Sequence, residues 1–485
     1  MLDRYPPSLH HDLKQRHLSM IAIAGVIGAG LFVGSGAAIK QTGPGVLVSY
    51  ALAGLIVVLV MRMLGEMAAA HPETGSFSAY AHRAIGRWAG FTVGWLYAWF
   101  WIIVLGIEAT AGAVIMHRWM PMVPQWSWAL MLMIFLTVTN LVSVKYYGEF
   151  EFWFASIKVA AIVAFLGLGV AAICGVVPGV EAPGMTNLIG HGGFFPNGFG
   201  AVFPTLLVVV FSFFGAEIAT IAAGESEHPV AAVSKAVRSI VWRILVFFIG
   251  SVAVVVILLP WDDASVALSP YVAVIHNMGI PAAGEIMDVI VLTAVLSCLN
   301  SGLYTASRML FSLSARGDAP AGLTKVTRSG VPRNAVLVST VVGFVTVGLN
   351  YTYPDTVFVF LVNSSGAIVL LVWLVIAISQ LRMRKTLEDN GSSLKLRMWC
   401  YPYLTSATIV GIVGLCTGML VIPQMRGQML LSLGLAAVLI AIGVYKSLKP
   451  LLGSGNENRH ADRDEAVDTS DDSTLNPLDG GDRIH

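Results

Sequence analysis

Residues 25–36 read GVIGAGLFVGSG and lie inside the first long apolar segment of the chain. Five of these residues are glycines, and each glycine costs an α-helix about 1 kcal/mol relative to alanine. In a membrane, unwound backbone is tolerated only where protein buries it or where it lines a cavity. The stretch therefore predicts a broken membrane helix whose free backbone amides face a cavity and bind a small carboxylate.

The composition is that of a polytopic membrane protein. Of the 485 residues, 56% are hydrophobic and 12% are charged, and the mean hydropathy is +0.76. Soluble proteins carry about 25% charged residues. Twelve apolar segments are each long enough to cross about 30 Å of hydrocarbon, so we predict an all-α membrane protein with 12 transmembrane helices. The segments lie near residues 18–38, 45–66, 88–116, 126–144, 150–175, 199–223, 238–260, 284–313, 335–353, 356–381, 402–421 and 428–446.

The distribution of positive charge predicts the orientation in the membrane. If the N-terminus is cytoplasmic, 25 of the 29 Lys and Arg residues fall in cytoplasmic segments and 3 in external loops, which is the bias that cytoplasmic loops show. We expect both termini on the cytoplasmic side. Residues 1–17 then form a polar N-terminus without a cleavable signal. Residues 18–446 form the membrane domain, and the acidic residues 447–485 are predicted to be a disordered cytoplasmic tail.

A second break is predicted in the sixth apolar segment. Pro204 and Gly215 interrupt it, and Glu217 follows. Broken spans at matching positions of two halves indicate a transporter built from inverted repeats. Spans one and six are five apart, which predicts a 5+5 repeat, with repeat one at about 18–175, repeat two at about 199–381 and two extra helices at about 402–446.

The two breaks together suit a zwitterion. A half-helix N-terminus attracts a carboxylate, and unwound carbonyls or half-helix C-termini attract an ammonium or a metal cation. The alternative is that the glycines only allow close helix packing, a role that Gly34 and Gly36 fit better than Gly28 and Gly30.

Three ionisable residues lie deep inside predicted spans, where such groups are functional candidates. Burial disfavours the charged form of Lys158, so this residue is a candidate for proton exchange; the alternative is that it reaches the cytoplasmic interface. Glu217 either receives a substrate ammonium, takes part in proton transfer, or accepts hydrogen bonds from freed backbone amides. Glu108 either meets a substrate amine or another polar group in the cavity, or is structural.

Aromatic and hydroxyl residues add weaker candidates. Phe211, beside the second break, can cover a bound substrate or simply pack. The run GWLYAWFWI at 94–102 is typical of membrane anchoring or packing. One face of span eight carries Ser297, Ser301 and Tyr304 by three- and four-residue spacing. This polar face either belongs to the functional site or makes a polar contact with another helix.

Other function classes lack their signatures. The four cysteines show no metal-ligand spacing, and no nucleophile–base set or basic nucleic-acid-binding patch is visible. We expect neither an enzyme nor a cofactor, and the proton motive force as the energy source. A channel is disfavoured because paired broken helices suit a closed site, and a nutrient sensor is disfavoured because the tail is too simple.

Several motifs resemble the bacterial amino acid transporter family of the amino acid–polyamine–organocation superfamily. They are the pattern T-G-P…G-E-x5-P within 42–72, TGSFSAYA (74–81), FSFFGAE (211–217), SCLNSGLYTASRML (297–310) and RGDAP (316–320). The resemblance implies a leucine-transporter-type fold in a bacterial cytoplasmic membrane. It also implies proton-coupled uptake of a small zwitterionic amino acid by alternating access.

The resemblance also implies roles for single residues. The carboxylate would meet amides of residues 26–30, and the ammonium would meet carbonyls around Phe211, Phe214 and Gly215. Phe211 would be the gate, and Lys158 the proton-linked group that replaces sodium. The amide set is Val26, Ile27, Gly28, Ala29 and Gly30.

Within the family, the chain is most similar to the subgroup that transports 4-aminobutyrate (GABA). The motifs are RHLSMIAIAGVIGA (16–29), VKYYGEFEFW (144–153), GGFFPNGFGAV (192–202) and ESEHP (225–229), together with SSGAI through QLRMRK (364–385). Many relatives carry Ser or Thr at the position of Ala29. The GABA subgroup carries alanine there, as this chain does. The alternative substrate is an α-amino acid such as proline or an aromatic amino acid.

Overall fold

A computed structural model describes residue 20 and residues 27–32, 34–73, 75–142, 144–223, 229–280, 282–327, 329–353, 357–389 and 394–468. All regular secondary structure in these residues is helical, which confirms the predicted all-α class. The N-terminal segment 1–17 lies outside the described residues.

Eighteen α-helices run through the described part of the chain. The first half contains α1 Ala29–Phe32, α2 Gly34–Thr42, α3 Val46–Ala70, α4 Ser76–Ala84, α5 Arg87–Trp119, α6 Gln125–Val142 and α7 Val144–Ile173. The second half contains α8 Val202–Ser212, α9 Ile218–Ala223, α10 Pro229–Arg243, α11 Ser251–Leu258, α12 Ala264–Leu268, α13 Pro270–Asn277, α14 Ala283–Ala315, α15 Arg333–Thr352, α16 Val357–Asp389, α17 Tyr403–Val421 and α18 Pro423–Asp468.

Ten helical segments within the described ranges are long and apolar enough to cross a membrane. One of them, Gly30–Ala70, is 41 residues long and therefore has room for two of the predicted spans. The helix of the sixth predicted span, Phe199–Val210, is shorter, because the chain unwinds soon after it. The helices agree with a multi-pass membrane protein, and the number of twelve spans stays a prediction.

The helices α5 and α14 pack against each other in the middle of the bundle. Gly302 of α14 lets the ring of Trp101 approach, since a Cβ atom at Gly302 would lie 2.8 Å from Trp101 Cε3. The apolar surface of α5 extends round the whole helix, as expected for a helix covered on all sides. In contrast, α17 and α18 are largely exposed and lie at the edge of the bundle.

A polar cluster joins the C-terminal end of α14 to α4 and α5 on the predicted cytoplasmic side. We call it the Asp318 latch, and it consists of Ser78, Arg87, Arg316 and Asp318. The buried Asp318 carboxylate accepts a hydrogen bond from Arg87 Nε at 3.3 Å, and Arg316 Nη2 donates to Ser78 Oγ at 2.5 Å. Burial, followed by the charge of Arg316, lowers the pKa of the nearby His82. The neutral form of this imidazole is therefore favoured more than in a free histidine.

A buried ion pair joins α3 to α16. The carboxylate of Glu66 accepts hydrogen bonds from Arg384 Nη1 at 2.6 Å, Gln380 Nε2 at 2.9 Å and the backbone N of Met398 at 2.5 Å. The Glu66 side chain is 1% exposed and that of Arg384 is 7% exposed. Water therefore reaches neither charged group well enough to replace the hydrogen bonds that are lost when the pair is broken.

We expect Glu66→Ala to lower the free energy of unfolding by about 3–5 kcal/mol, because it leaves the Arg384 guanidinium buried with less compensation. Thermal unfolding of the detergent-solubilised protein measures the effect. The matched control is Glu73→Ala, which breaks the exposed pair with Arg83 and is expected to cost about 1 kcal/mol or less. Equal losses in the two variants would contradict the prediction.

The last helix extends further than the sequence suggests. Residues 447–468 belong to α18, and residues 469–485 lie outside the described residues. The disordered cytoplasmic tail stays a prediction.

Candidate functional site

Ile27 and Gly28, where the first break is predicted, lie directly before α1, and residues 21–26 before them are outside the described residues. Neither residue is helical, and the first turn begins where Leu31 N donates to the Gly28 carbonyl at 3.2 Å. Side chains from other helices bind the carbonyls of this region: Lys158 Nζ donates to Ile27 O at 2.8 Å. Backbone amides at the start of α1 have no partner inside the helix and point out of its end.

The second break separates α8, which ends at Ser212, from α9, which begins at Ile218. Gly215 between them has a φ of +102°, a conformation that favours glycine. The buried carboxylate of Glu217 accepts a hydrogen bond from Gly215 N at 3.3 Å through Oε1, so it holds the backbone of the break. Its Oε2 has no hydrogen-bond partner in the described part of the chain, and the Tyr97 hydroxyl lies nearby.

The two breaks touch each other. Ser212 Oγ donates to the Gly30 carbonyl at 2.9 Å, and a Cβ atom at Gly30 would lie only 3.0 Å from Ser212 Cα. A Cβ atom at Gly28 would lie 2.8 Å from Glu108 Oε1 and 2.9 Å from Cys298 Sγ. The two glycines thus allow close packing, and at the same time they leave backbone exposed to the space between the breaks.

A small buried cavity lies in that space. Its volume is about 20 Å³, which is room for about one water molecule and not for an amino acid. Admission of an amino acid therefore requires the helices to move apart. The lining residues are Gly28, Gly30, Phe100, Trp101, Val104, Glu108, Ser212, Phe214 and Cys298.

Aromatic rings form one wall of the cavity. The ring centroid of Phe214 lies 3.7 Å from that of Phe100, 5.4 Å from that of Tyr97 and 5.7 Å from that of Trp101. These three rings belong to the run at 94–102, for which the sequence left anchoring and packing open. Phe100 and Trp101 pack inward because α5 is a central helix, and they also line the cavity.

Lys158 is completely buried on α7, beside the cavity. The titratable groups that act on its charge are, in order of their effect, Glu151, Cys298 and Glu108. Because the ammonium is buried and bound to Ile27 O, the alternative in which Lys158 reaches the cytoplasmic interface does not fit the structure.

The structure brings most of the predicted site residues together. Around or beside the cavity lie Ile27, Gly28, Gly30, Glu108, Lys158 and Phe214, whereas Gly215 and Glu217 shape the second break. Val26 lies outside the described residues, as do the side chains of Ala29 and Phe211. Among the described residues, no three His, Cys, Asp or Glu side chains form a group that could hold a metal ion.

Sequence reasoning did not assign four residues that matter here: Ser212, Cys298, Phe100 and Glu151. Ser212 and Cys298 lie inside quoted motifs, but neither was singled out. Glu151 also lies inside a quoted motif (144–153), and its position seven residues before Lys158 places it two helical turns away on the same face.

Comparisons with known proteins agree over nearly the whole chain. The sequence model of the amino acid permease family matches residues 17–448. The chain is 56% identical to the gamma-aminobutyric acid permease of Bacillus subtilis over 91% of its length and 94% of the relative. It is 53% identical to the gamma-aminobutyric acid permease of Escherichia coli over 90% and 93%. It is 46% identical to an aromatic amino acid transport protein of Corynebacterium glutamicum over 86% and 90%.

Among solved structures, the chain is similar to a manganese transporter mutant of Eremococcus coleocola. The TM-score is 0.56 at 12% sequence identity, over 89% of this chain and 93% of the other. This similarity concerns the fold alone.

Proposed function

Because the chain belongs to the amino acid permease family, we propose that it is a secondary transporter that imports GABA, together with protons, by alternating access. Membership of this family makes the chain a membrane transporter and not an enzyme. Two relatives that are named GABA permeases are more similar to it than the aromatic amino acid transport protein is. The second candidate is proton-coupled uptake of an α-amino acid such as proline or an aromatic amino acid.

The observation that carries the proposal is the cavity between the residues at the start of α1 and the break between α8 and α9. Gly28 and Gly30 border it from the first break, and Ser212 and Phe214 border it from the second. In this assignment the amides of residues 26–30 bind the substrate carboxylate. The carbonyls around Phe211, Phe214 and Gly215 bind the ammonium.

Glu108 borders the same cavity next to Gly28. An ionised carboxylate at this place attracts the substrate ammonium, whereas a protonated one donates a hydrogen bond to the substrate carboxylate. Either contact makes Glu108 part of the substrate site.

Phe211 is assigned as the gate over the substrate. Phe214 supports an aromatic barrier at this break, since its ring packs on Phe100 and borders the cavity. Parting these rings enlarges the cavity on one side of the membrane while the other side stays closed. A continuous channel does not fit a cavity of about 20 Å³.

Lys158 is assigned as the proton-coupling group, with Glu217 as a second one. The Lys158 ammonium binds the carbonyl of Ile27, the residue directly before Gly28. A change in the charge of Lys158 therefore acts on the backbone that holds the substrate carboxylate. The buried Glu217 does the same for the second break through Gly215 N.

The architecture that goes with this function has twelve spans in a leucine-transporter-type 5+5 repeat and both termini in the cytoplasm. It is supported by the interruption between α8 and α9 in segment six and by the non-helical residues Ile27 and Gly28 in segment one. It is also supported by the 41-residue helical stretch, which has room for two spans. The driving force is the proton gradient across the bilayer, with no cofactor.

A competition panel tests the substrate. Purified protein in proteoliposomes takes up radiolabelled GABA under an inward proton gradient, and each of twenty α-amino acids is added in excess. We expect unlabelled GABA to compete far better than any α-amino acid, because its ammonium and carboxylate are three carbons apart and only a cavity with equally separated poles binds both. Stronger competition by an α-amino acid would favour the second candidate, and uptake that persists without the gradient would contradict proton coupling.

A further inference from the structure

Glu151 is a buried carboxylate for which the proposed site has no role. It is 0% exposed and lies on α7, seven residues before Lys158. Seven residues of α-helix advance by about 10 Å, or two turns, so both side chains lie on one face. Among the titratable groups around Lys158, Glu151 has the largest electrostatic effect on it.

Polar side chains of α14 orient the Glu151 carboxylate. Ser297 Oγ donates to Glu151 Oε1 at 2.5 Å, and Asn300 Nδ2 donates to Oε2 at 3.4 Å. The Oδ1 of Asn300 in turn accepts a hydrogen bond from Asn140 Nδ2 at 2.8 Å. Hydrogen-bonded polar groups therefore extend from Glu151 to the last turn of α6, and Lys158 lies two helical turns from Glu151 on the same face of α7.

This last turn marks the predicted cytoplasmic end of α6, because the loop that follows carries Lys145 and counts as cytoplasmic. Glu151 thus lies between Lys158 and the cytoplasm. The other titratable groups that face the pair, Cys298 of α14 and Glu108 of α5, lie on the side of the cavity.

A purely structural carboxylate is a poor explanation for this position. An ionisable side chain inside a membrane is expensive and is retained mainly where it acts on ions or protons. Asn140 and Asn300 already join α6 to α14 through an amide–amide hydrogen bond, and that contact needs no charge. The carboxylate adds a proton acceptor within the field of an ammonium.

We propose that Glu151 accepts the proton that Lys158 releases and delivers it to the cytoplasm. This inference rests on the proposed function, in which Lys158 carries the coupled proton. An N–H bond of the Lys158 ammonium breaks and an O–H bond forms on Glu151. The proton then passes to cytoplasmic water when the inner half opens near Asn140, which restores the carboxylate. Ser297 and Asn300 are positioning residues that hold the acceptor.

The test separates proton release from substrate movement in proteoliposomes. One assay measures exchange of labelled for unlabelled GABA without a pH gradient, and the other measures accumulation driven by an inward proton gradient. Exchange needs no net release of the proton, whereas accumulation needs one release per cycle.

For Glu151→Gln we expect accumulation to fall by about a hundredfold while exchange stays close to the wild-type rate. Glutamine keeps the size of the side chain and one acceptor oxygen for Ser297, but it cannot take up the proton. The matched control is Asn300→Ala, which removes an orienting donor and leaves the carboxylate in place. It is expected to reduce accumulation much less.

Unchanged accumulation in Glu151→Gln would overturn the proposal. So would an equal loss of exchange and accumulation, which indicates a structural role. If the glutamine variant does not fold, Glu151→Asp serves the same purpose: the shorter side chain should reduce accumulation more than exchange, and equal losses again contradict the proposal. A wild-type protein without gradient-driven uptake would instead refute the proposed function itself.

Discussion

Lys158→Ala is expected to abolish gradient-driven accumulation of GABA while exchange across the membrane persists. The Lys158 ammonium is completely buried and donates to the Ile27 carbonyl at 2.8 Å. Alanine removes the group that carries the proton. Binding of the substrate is then no longer accompanied by a change in the charge of the transporter. We expect accumulation in proteoliposomes to fall by about a hundredfold, the scale on which a positioned proton-transfer group acts.

The control for this variant is Lys235→Ala, which removes an exposed lysine on α10. It changes the net charge equally and should leave accumulation as it is. Accumulation that survives in Lys158→Ala would reduce Lys158 to a helix-packing residue. Loss of exchange to the same extent as accumulation would mean that the lysine holds the first break in shape and carries no proton.

Gly28→Val is expected to abolish both exchange and accumulation. The first carbon of the new side chain would lie 2.8 Å from Glu108 Oε1 and 2.9 Å from Cys298 Sγ, and its methyl groups would fill the cavity. Displacing binding groups by about 1 Å can cost about a hundredfold in rate, and we expect a loss of that size in GABA uptake.

The matched control is Gly411→Val on α17, where the space around the Cβ position is open. Cys298→Ala combined with Gly28→Ala provides a second check, because it removes one of the two side chains that the added carbon meets. The double variant should recover part of the activity that Gly28→Ala alone loses. Full activity of Gly28→Val would show that the substrate does not bind at this cavity.

Sequence alone predicts the features that depend on composition and on residues close together in the chain. Composition indicates an all-helical membrane protein, and the glycines at 25–36 indicate the first break, because the helical cost of glycine is local and needs no neighbour. The depth of Lys158 follows from counting residues along a span. The break at Gly215 and the acidic residue after it follow in the same way.

The features that sequence does not predict depend on which face of a helix turns inward. The helix α5 is apolar on every side, so its pattern does not indicate that Phe100 and Trp101 face the second break. Cys298 lies beside the polar residues Ser297 and Asn300 of α14, and the sequence does not indicate that its thiol faces the cavity. Glu151 lies near the end of its span, where acidic residues commonly face water, and only the packing of Ser297 and Asn300 shows that it is buried.

The water-sized cavity has a consequence for how substrate affinity should be interpreted. An apparent dissociation constant equals the intrinsic one divided by the fraction of molecules in the binding-competent conformation. A molecule with a cavity of about 20 Å³ does not belong to that fraction. Affinity therefore reports the equilibrium between closed and expanded bundles as well as the contacts to the ligand. Any contact remote from the cavity that differs between the two conformations therefore changes the measured affinity without touching the ligand.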